Sequence, residues 1–326
     1  LYRVVWKGRV AKDVRDLGEG ISAAIRQPQL QSAWGRQAIA KQKEAMGEEW
    51  GRKLVGVVRA TSNPTQFRTR ALDLMHLYGP SPTTQLMLAL SQDENEIVRA
   101  KLVEMMGIYP TEATRNRLIE MLDDSDALVR RKVCEVLARA SQEAPAEKVI
   151  PLLRSEDRFE SLAARRLLER IAPEKWRETV LQTGNHREFI HGTLALMTAE
   201  PSKENATAIL DGIQTMMAGF VKDTDFIDIL RLAQVAIIRG ELAPNELDEF
   251  RNVLKEEFPS GDAIMNRELG RLLIYMQASS IMDRYFEYLH SNVPSEEKVN
   301  LAIYLRFIQE DWTTSRKMEL LDVLFD

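Results

Sequence analysis

The sequence predicts an all-α fold: a right-handed α-α superhelix of stacked helical hairpins, preceded by one β-strand that belongs to another sheet. Three observations carry that expectation. The segments Phe67-Arg68-Thr69-Arg70-Ala71-Leu72, Val98-Arg99-Ala100-Lys101-Leu102-Val103 and Val129-Arg130-Arg131-Lys132-Val133-Cys134 align without a gap at a 31-residue step. Each continues with apolar residues four, seven and eight positions after its first, the spacing of one helical face. Prolines and glycines fall between these faces, where helices must stop.

The elements follow in chain order. Leu1-Tyr2-Arg3-Val4-Val5-Trp6-Lys7-Gly8 alternates aromatic or β-branched residues with basic ones and is predicted to be a strand over residues 1–8. A lone strand has unpaired edges, so it is expected to complete a sheet supplied by a preceding domain or another chain. Residues 9–20, ending Gly18-Glu19-Gly20, read as a linker. Regular repeats are predicted over residues 21–170. In each, a first helix such as that holding Leu86, Leu88 and Leu90, or Leu118, Ile119 and Leu122, precedes an acidic turn and then the arginine-bearing second helix. Asn63-Pro64 and Ser81-Pro82 place a capping residue before a proline at the first helical position. Gly79-Pro80 and Tyr109-Pro110 end the preceding helices. A degraded fourth unit runs from Glu147 to Arg170. Over residues 171–326 the period blurs, yet Ile209, Leu210 and Ile213, then Phe226, Ile229 and Leu230, then Leu269, Leu272 and Leu273 keep helical spacing, broken at Pro201, Gly240, Pro259 and Pro294. The solenoid is expected to continue there in less regular form, with methionines filling irregular gaps.

The repeats resemble HEAT repeats of the armadillo-like superfamily, through Asp93 with Val98-Arg99 and Asp124 with Val129-Arg130. In such repeats an aspartate in the turn precedes the second-helix arginine by six residues, as Asp93 precedes Arg99 and Asp124 precedes Arg130. The resemblance implies that these four residues form a structural ladder bonding neighbouring turns and fixing their stacking. The tetratricopeptide and ankyrin signatures are absent.

The N-terminal segment followed by such repeats also looks like the junction in planctomycete-type multidomain envelope proteins. These join a β-propeller dehydrogenase-like domain, a HEAT region and a c-type haem-binding domain. Short matches continue in Gln27-Pro28-Gln29, Ala33-Trp34-Gly35-Arg36-Gln37, Met265-Asn266-Arg267-Glu268-Leu269, Tyr304-Leu305-Arg306 and Asp311-Trp312-Thr313. The resemblance implies a spacer located in the cell envelope or periplasm, within a protein linked to electron transfer. Leu1 is not a start methionine and nothing beside it reads as a signal peptide, so the chain is expected to begin inside something longer. The haem-attachment pattern Cys-x-x-Cys-His is absent from this sequence, so no cofactor is expected on it.

Composition narrows the chemistry. At 44% hydrophobic and 29% charged, the chain can bury a core and is not disordered as a whole. A single cysteine, Cys134, excludes an internal disulfide framework and any cysteine-rich metal site. No apolar run approaches the roughly 20 residues of a membrane span. His186 and His191 miss the spacing that converges two imidazoles on a metal. Asp123, Asp124 and Asp126, and likewise Asp223 and Asp225, lack the glycine and terminal glutamate of a calcium loop, and offset helix dipoles instead. His76 and His290 read as helix-face residues. No nucleophile–base set and no phosphate-binding glycine loop is present, so no catalytic residue is assigned and the chain is expected to be no enzyme.

Charge then points to a partner. Residues 1–70 hold 14 Lys+Arg against 6 Asp+Glu, while the remainder is acidic and brings the net charge to −5. Arg70, Lys101 and Arg131, beside the repeat arginines, are predicted to make a basic stripe on the second helices that receives an acidic protein segment. The alternative is a solvated ridge. The expected function is thus a scaffold for protein–protein or interdomain contacts, with neighbouring domains or subunits as partners. A HEAT-like nucleic-acid-binding or DNA-repair protein is an alternative, disfavoured by the acidic body, as is a free-standing cytoplasmic adaptor.

Overall fold

The computed structural model describes Lys7, residues 17–140 and residues 143–325. Apart from Lys7, the strand expected over residues 1–8, and the linker before residue 17, lie outside the described residues. What is described is all-helical, with helical pairs packed in a repeating arrangement. The chain divides into two compact units, Leu1–Val136 and Leu137–Asp326.

In the first unit, α1 (Gly20–Ile25), α2 (Ala33–Met46) and α3 (Glu49–Arg59) lead into α4 (Thr65–Tyr78), the first of the arginine-bearing helices. Then α5 (Thr84–Leu90) pairs with α6 (Glu96–Ile108), and α7 (Glu112–Glu120) leads through a short 3-10 turn to α8 (Ala127–Arg139). The period places equivalent apolar residues in equivalent burial. Ala71, Leu102 and Val133 are all buried, as are Leu74, Met105 and Val136. Burying each of the larger side chains, Leu74, Leu102, Met105, Val133 and Val136, contributes about 1.5–3 kcal/mol, which is why the repeat is legible as an apolar rhythm. First helices also pack on first helices and second on second, α5 on α7 and α4 on α6.

Helix stops lie where the breakers were read, but two starts do not. Gly79, with φ of +70°, terminates α4, a conformation that glycine adopts without a Cβ clash. Asn63 does not cap α4: its amide donates to the Val57 carbonyl at 3.1 Å, and the helix begins beyond Pro64 at Thr65. Ser81 does not cap α5 either. Thr83 does, accepting from the Leu86 N–H at 3.2 Å. In both cases the proline lies ahead of the helix instead of at its first turn, because a second oxygen-bearing residue or the preceding helix end competes for the role.

In the second unit, α9 (Ala146–Val149) runs into a 3-10 segment over Ile150–Arg154 and precedes α10 (Arg158–Leu168). It continues with α11 (Arg177–Leu181), α12 (His186–Ala199), α13 (Lys203–Met217), α14 (Asp223–Arg239), α15 (Asp248–Leu254), α16 (Ala263–Tyr275), α17 (Met282–His290), α18 (Ser295–Leu305) and α19 (Thr314–Phe325). The even-numbered helices α10 to α18 pack in one row, each on the next, and α11, α13 and α15 pack in another. Trp176, Phe189, Phe258 and Tyr285 are fully buried, and the Tyr285 hydroxyl donates to the Leu301 carbonyl at 3.0 Å. Close approach needs glycine at Gly192, where a Cβ would lie 2.6 Å from Val180.

Candidate interaction surface

Two sets of side chains decide what the stack can do: the arginines that pin it, and the polar groups displayed on the second helices. The pinning set begins one repeat earlier than expected. Arg68, buried in α4, donates to the Val58 carbonyl at 2.7 Å and bidentately to the Asp93 carboxylate, with Nη1 at 3.0 Å. Arg99 repeats the arrangement: Nε and Nη2 each reach Asp124 at 2.8 Å, while Nη1 donates to the Asp93 and Glu94 carbonyls at 2.8 and 3.2 Å. Arg130 in turn donates to the Asp124 carbonyl at 2.6 Å. Each guanidinium therefore bonds the carbonyl side of one turn, and those of Arg68 and Arg99 also bond the carboxylate of the next. Arg68 was present in the aligned segment, at the same 31-residue step as Arg99, and that step is the signal that adds it to the ladder.

The ladder is electrostatically self-contained. Burial works against the Asp93 carboxylate, but the Arg68 bonds, the Asn95 N–H and the charges of Arg68 and Arg99 hold its pKa below the usual range. Asp124 behaves alike: burial opposes its charge, and Arg99, the Asp126 N–H and Arg130 outweigh that. Side-chain exposures of 11% for Arg99 and 9% for Asp124 leave little for a partner to touch.

The predicted basic stripe is occupied from within the chain. Arg70 donates to the Gln27 and Pro28 carbonyls. Lys101 contacts Asp73 at 2.7 Å and Glu104 at 3.0 Å, and Glu104 also meets Lys132 at 3.2 Å. Arg131 pairs with Glu135 at 2.8 Å. Cation and carboxylate alternate along α4, α6 and α8, so the local field is largely cancelled.

The metal candidates are likewise spent structurally. Asp126 accepts from the Leu128 and Val129 N–H groups at the start of α8, and Asp223 and Asp225 lie in the first turn of α14. His76 contacts the Tyr109 hydroxyl at 2.9 Å, and His290 contacts Glu319 at 3.0 Å. Among the described residues no three His, Cys, Asp or Glu side chains come together as a metal-holding group, and no helix is long and apolar enough to cross a membrane.

Buried polar atoms without a hydrogen-bond partner occur in both units, Gln27 Oε1 and Arg70 Nε in the first and a cluster on α10 and α12 in the second. On α10, Arg165 Nε lies 3.6 Å from Glu169 Oε1, too far for a hydrogen bond, and both atoms are buried without a partner. On α12, Arg187 Nε and His191 Nδ1 are also buried and unpartnered. Burial first, then the charges of Arg165 and Arg187, lower the His191 pKa to about 4 against the opposing pull of Asp225. His191 is therefore neutral near pH 7. Beside this cluster, Arg165, Arg166, Glu169, Leu194, Thr198, Val235, Ile238 and Arg239 line an open cavity of about 340 Å³. A larger cavity of about 540 Å³, at α17 and α19, is lined by Arg316, bonded to Asp283, and by His290, in contact with Glu319.

Comparison with known sequences fits this arrangement. Residues 83–172, from the α5 cap to just beyond α10, match a family described as HEAT repeats. No curated protein matches the chain. Stacked HEAT repeats form surfaces for protein contacts, and that is the role the matched segment suggests.

Proposed function

We propose that this chain is a non-enzymatic HEAT-repeat scaffold that joins or spaces modules within a larger envelope protein linked to electron transfer. The observation that carries the scaffold reading is the ladder of Arg68, Arg99 and Arg130 with Asp93 and Asp124. It spends charged side chains on holding helical pairs in register and leaves the second-helix surfaces as the displayed feature. The envelope reading is supported by the short sequence matches from Gln27-Pro28-Gln29 to Asp311-Trp312-Thr313. In this reading neighbouring modules hold the redox chemistry and this chain sets the distance and orientation between them.

The experiment is to read the parent reading frame and to assay the chain alone. A propeller before Leu1 and a Cys-x-x-Cys-His pattern after Asp326 are the expected flanks. A start methionine just upstream with no further domain would replace the envelope role with that of a free adaptor. Turnover of a redox substrate, or tight duplex-DNA binding at low micromolar protein, would reject the scaffold reading.

A further inference from the structure

We infer that the groove between α10, α12 and α14 is a docking site for an acidic protein segment that carries an apolar side chain between its carboxylates. The inference rests on the scaffold reading and names the chemistry of what the scaffold holds.

The groove has an apolar floor and cationic edges. Leu194 on α12 and Val235 and Ile238 on α14 supply the floor, and Ile238 stands 68% exposed. Arg165 and Arg166 rise from α10 and Arg239 from the end of α14, three arginines against the single carboxylate of Glu169. Arg166 is held by Glu169 at 2.8 Å. Arg165 keeps a buried Nε without a hydrogen-bond partner, and Arg239 is exposed, with no hydrogen bond or ion pair among the described residues. An arginine with spare donors gains a charge-assisted bond when a carboxylate reaches it.

Charge complementarity selects the occupant. One carboxylate pairs with the accessible part of the Arg165 guanidinium, whose side chain is 17% exposed, and a second meets Arg239. An apolar side chain between them covers Ile238 and Val235. Phosphates of a duplex have no use for the apolar residues Leu194, Val235 and Ile238, which favours an acidic polypeptide with an apolar side chain over nucleic acid. In the first unit the guanidinium of Arg70, Lys101 and the guanidinium of Arg131 each bond to their own chain, whereas Arg239 has no such bond among the described residues.

The test uses the full chain and a fluorescein-labelled peptide Glu-Asp-Glu-Leu-Phe-Asp-Glu-Asp, read by anisotropy. Saturable binding is expected, weakened about tenfold by Arg239→Glu and by Ile238→Asp, and unchanged by Arg131→Glu. Arg239 and Ile238 are exposed, so both variants should melt like the parent; Arg165→Gln, partly buried, is read only alongside its melting curve. The charge-reversed peptide Lys-Arg-Lys-Leu-Phe-Arg-Lys-Arg should not bind. Peptide binding indifferent to Arg239→Glu and Ile238→Asp overturns the assignment, as does a duplex oligonucleotide that binds with the same residue dependence. Failure of the peptide to bind, while the chain still associates with the modules flanking it in its reading frame, overturns the groove and leaves the scaffold reading standing. Association with neither overturns both.

Discussion

Arg99→Ala is expected to lower stability by about 3 kcal/mol. The substitution deletes two charge-assisted bonds to Asp124 and two bonds to the Asp93 and Glu94 carbonyls. Removing one partner of a buried ion pair costs about 3–5 kcal/mol because the other charge is stranded. The lower end applies here, since Asp124 keeps the Asp126 N–H and the nearby charge of Arg130. For a unit of this size that corresponds to a fall of roughly 10 °C in Tm. Arg99→Lys keeps the charge but loses the planar fork, and should retain about half the stability difference. Calorimetry gives the midpoints, and a cycle with Asp124→Asn should return a coupling of about 1.5–3 kcal/mol. An unchanged Arg99→Ala midpoint, or additive single effects, would refute the claim that these residues pin the repeats.

Two further outcomes follow from the second unit. His191 has a folded pKa of about 4 against an ordinary 6.5, so the unfolded chain binds its proton first. The associated stability is fully present above pH 6.5 and is lost as pH falls toward 4, by about 2–3 kcal/mol after allowing for partial solvent access. Urea midpoints across that range should slope less in His191→Gln; an identical slope would mean that burial and the charges of Arg165 and Arg187 do not hold the histidine neutral. Gly192→Ala should cost about 1–3 kcal/mol, because its Cβ would meet Val180 Cγ1 at 2.6 Å; a melting curve matching the parent would show that α11 yields instead.

The first unit was largely legible in the sequence because its period is strict. Equal spacing repeats both the apolar rhythm of Ala71, Leu102 and Val133 and the six-residue offset from Asp93 to Arg99 and from Asp124 to Arg130. Pairing across repeats was harder to read. Asp73 lies four residues before Leu77 on its own helix, and only folding brings it to Lys101, so the stripe looked more cationic in one dimension than it is in three. In the second unit the second helices begin at Arg158, His186, Asp223, Ala263 and Ser295, at unequal steps, which blurs any fixed period. There the acid shifts from the turn onto the helix: Arg154 bonds Glu188, Arg231 bonds Glu268, and Arg267 bonds Glu297. An ion pair whose spacing drifts leaves no motif. The α10–α12–α14 groove escaped notice for the same reason, since its walls come from segments with no shared register.

The ladder also gives the first unit a mechanical character. Arg99 is bolted to the turn behind it through carbonyls and to the turn ahead through a carboxylate, so its bonds act in series along the chain. A pull applied to the ends loads every such fastening with the same force; the weakest fails first, and the length it releases drops the tension until the next is loaded. Extension should therefore proceed in steps of one helical pair, producing a sawtooth in single-molecule stretching instead of one cooperative rupture. A module placed at the end of such a chain is carried on a stiff spring that yields by discrete links.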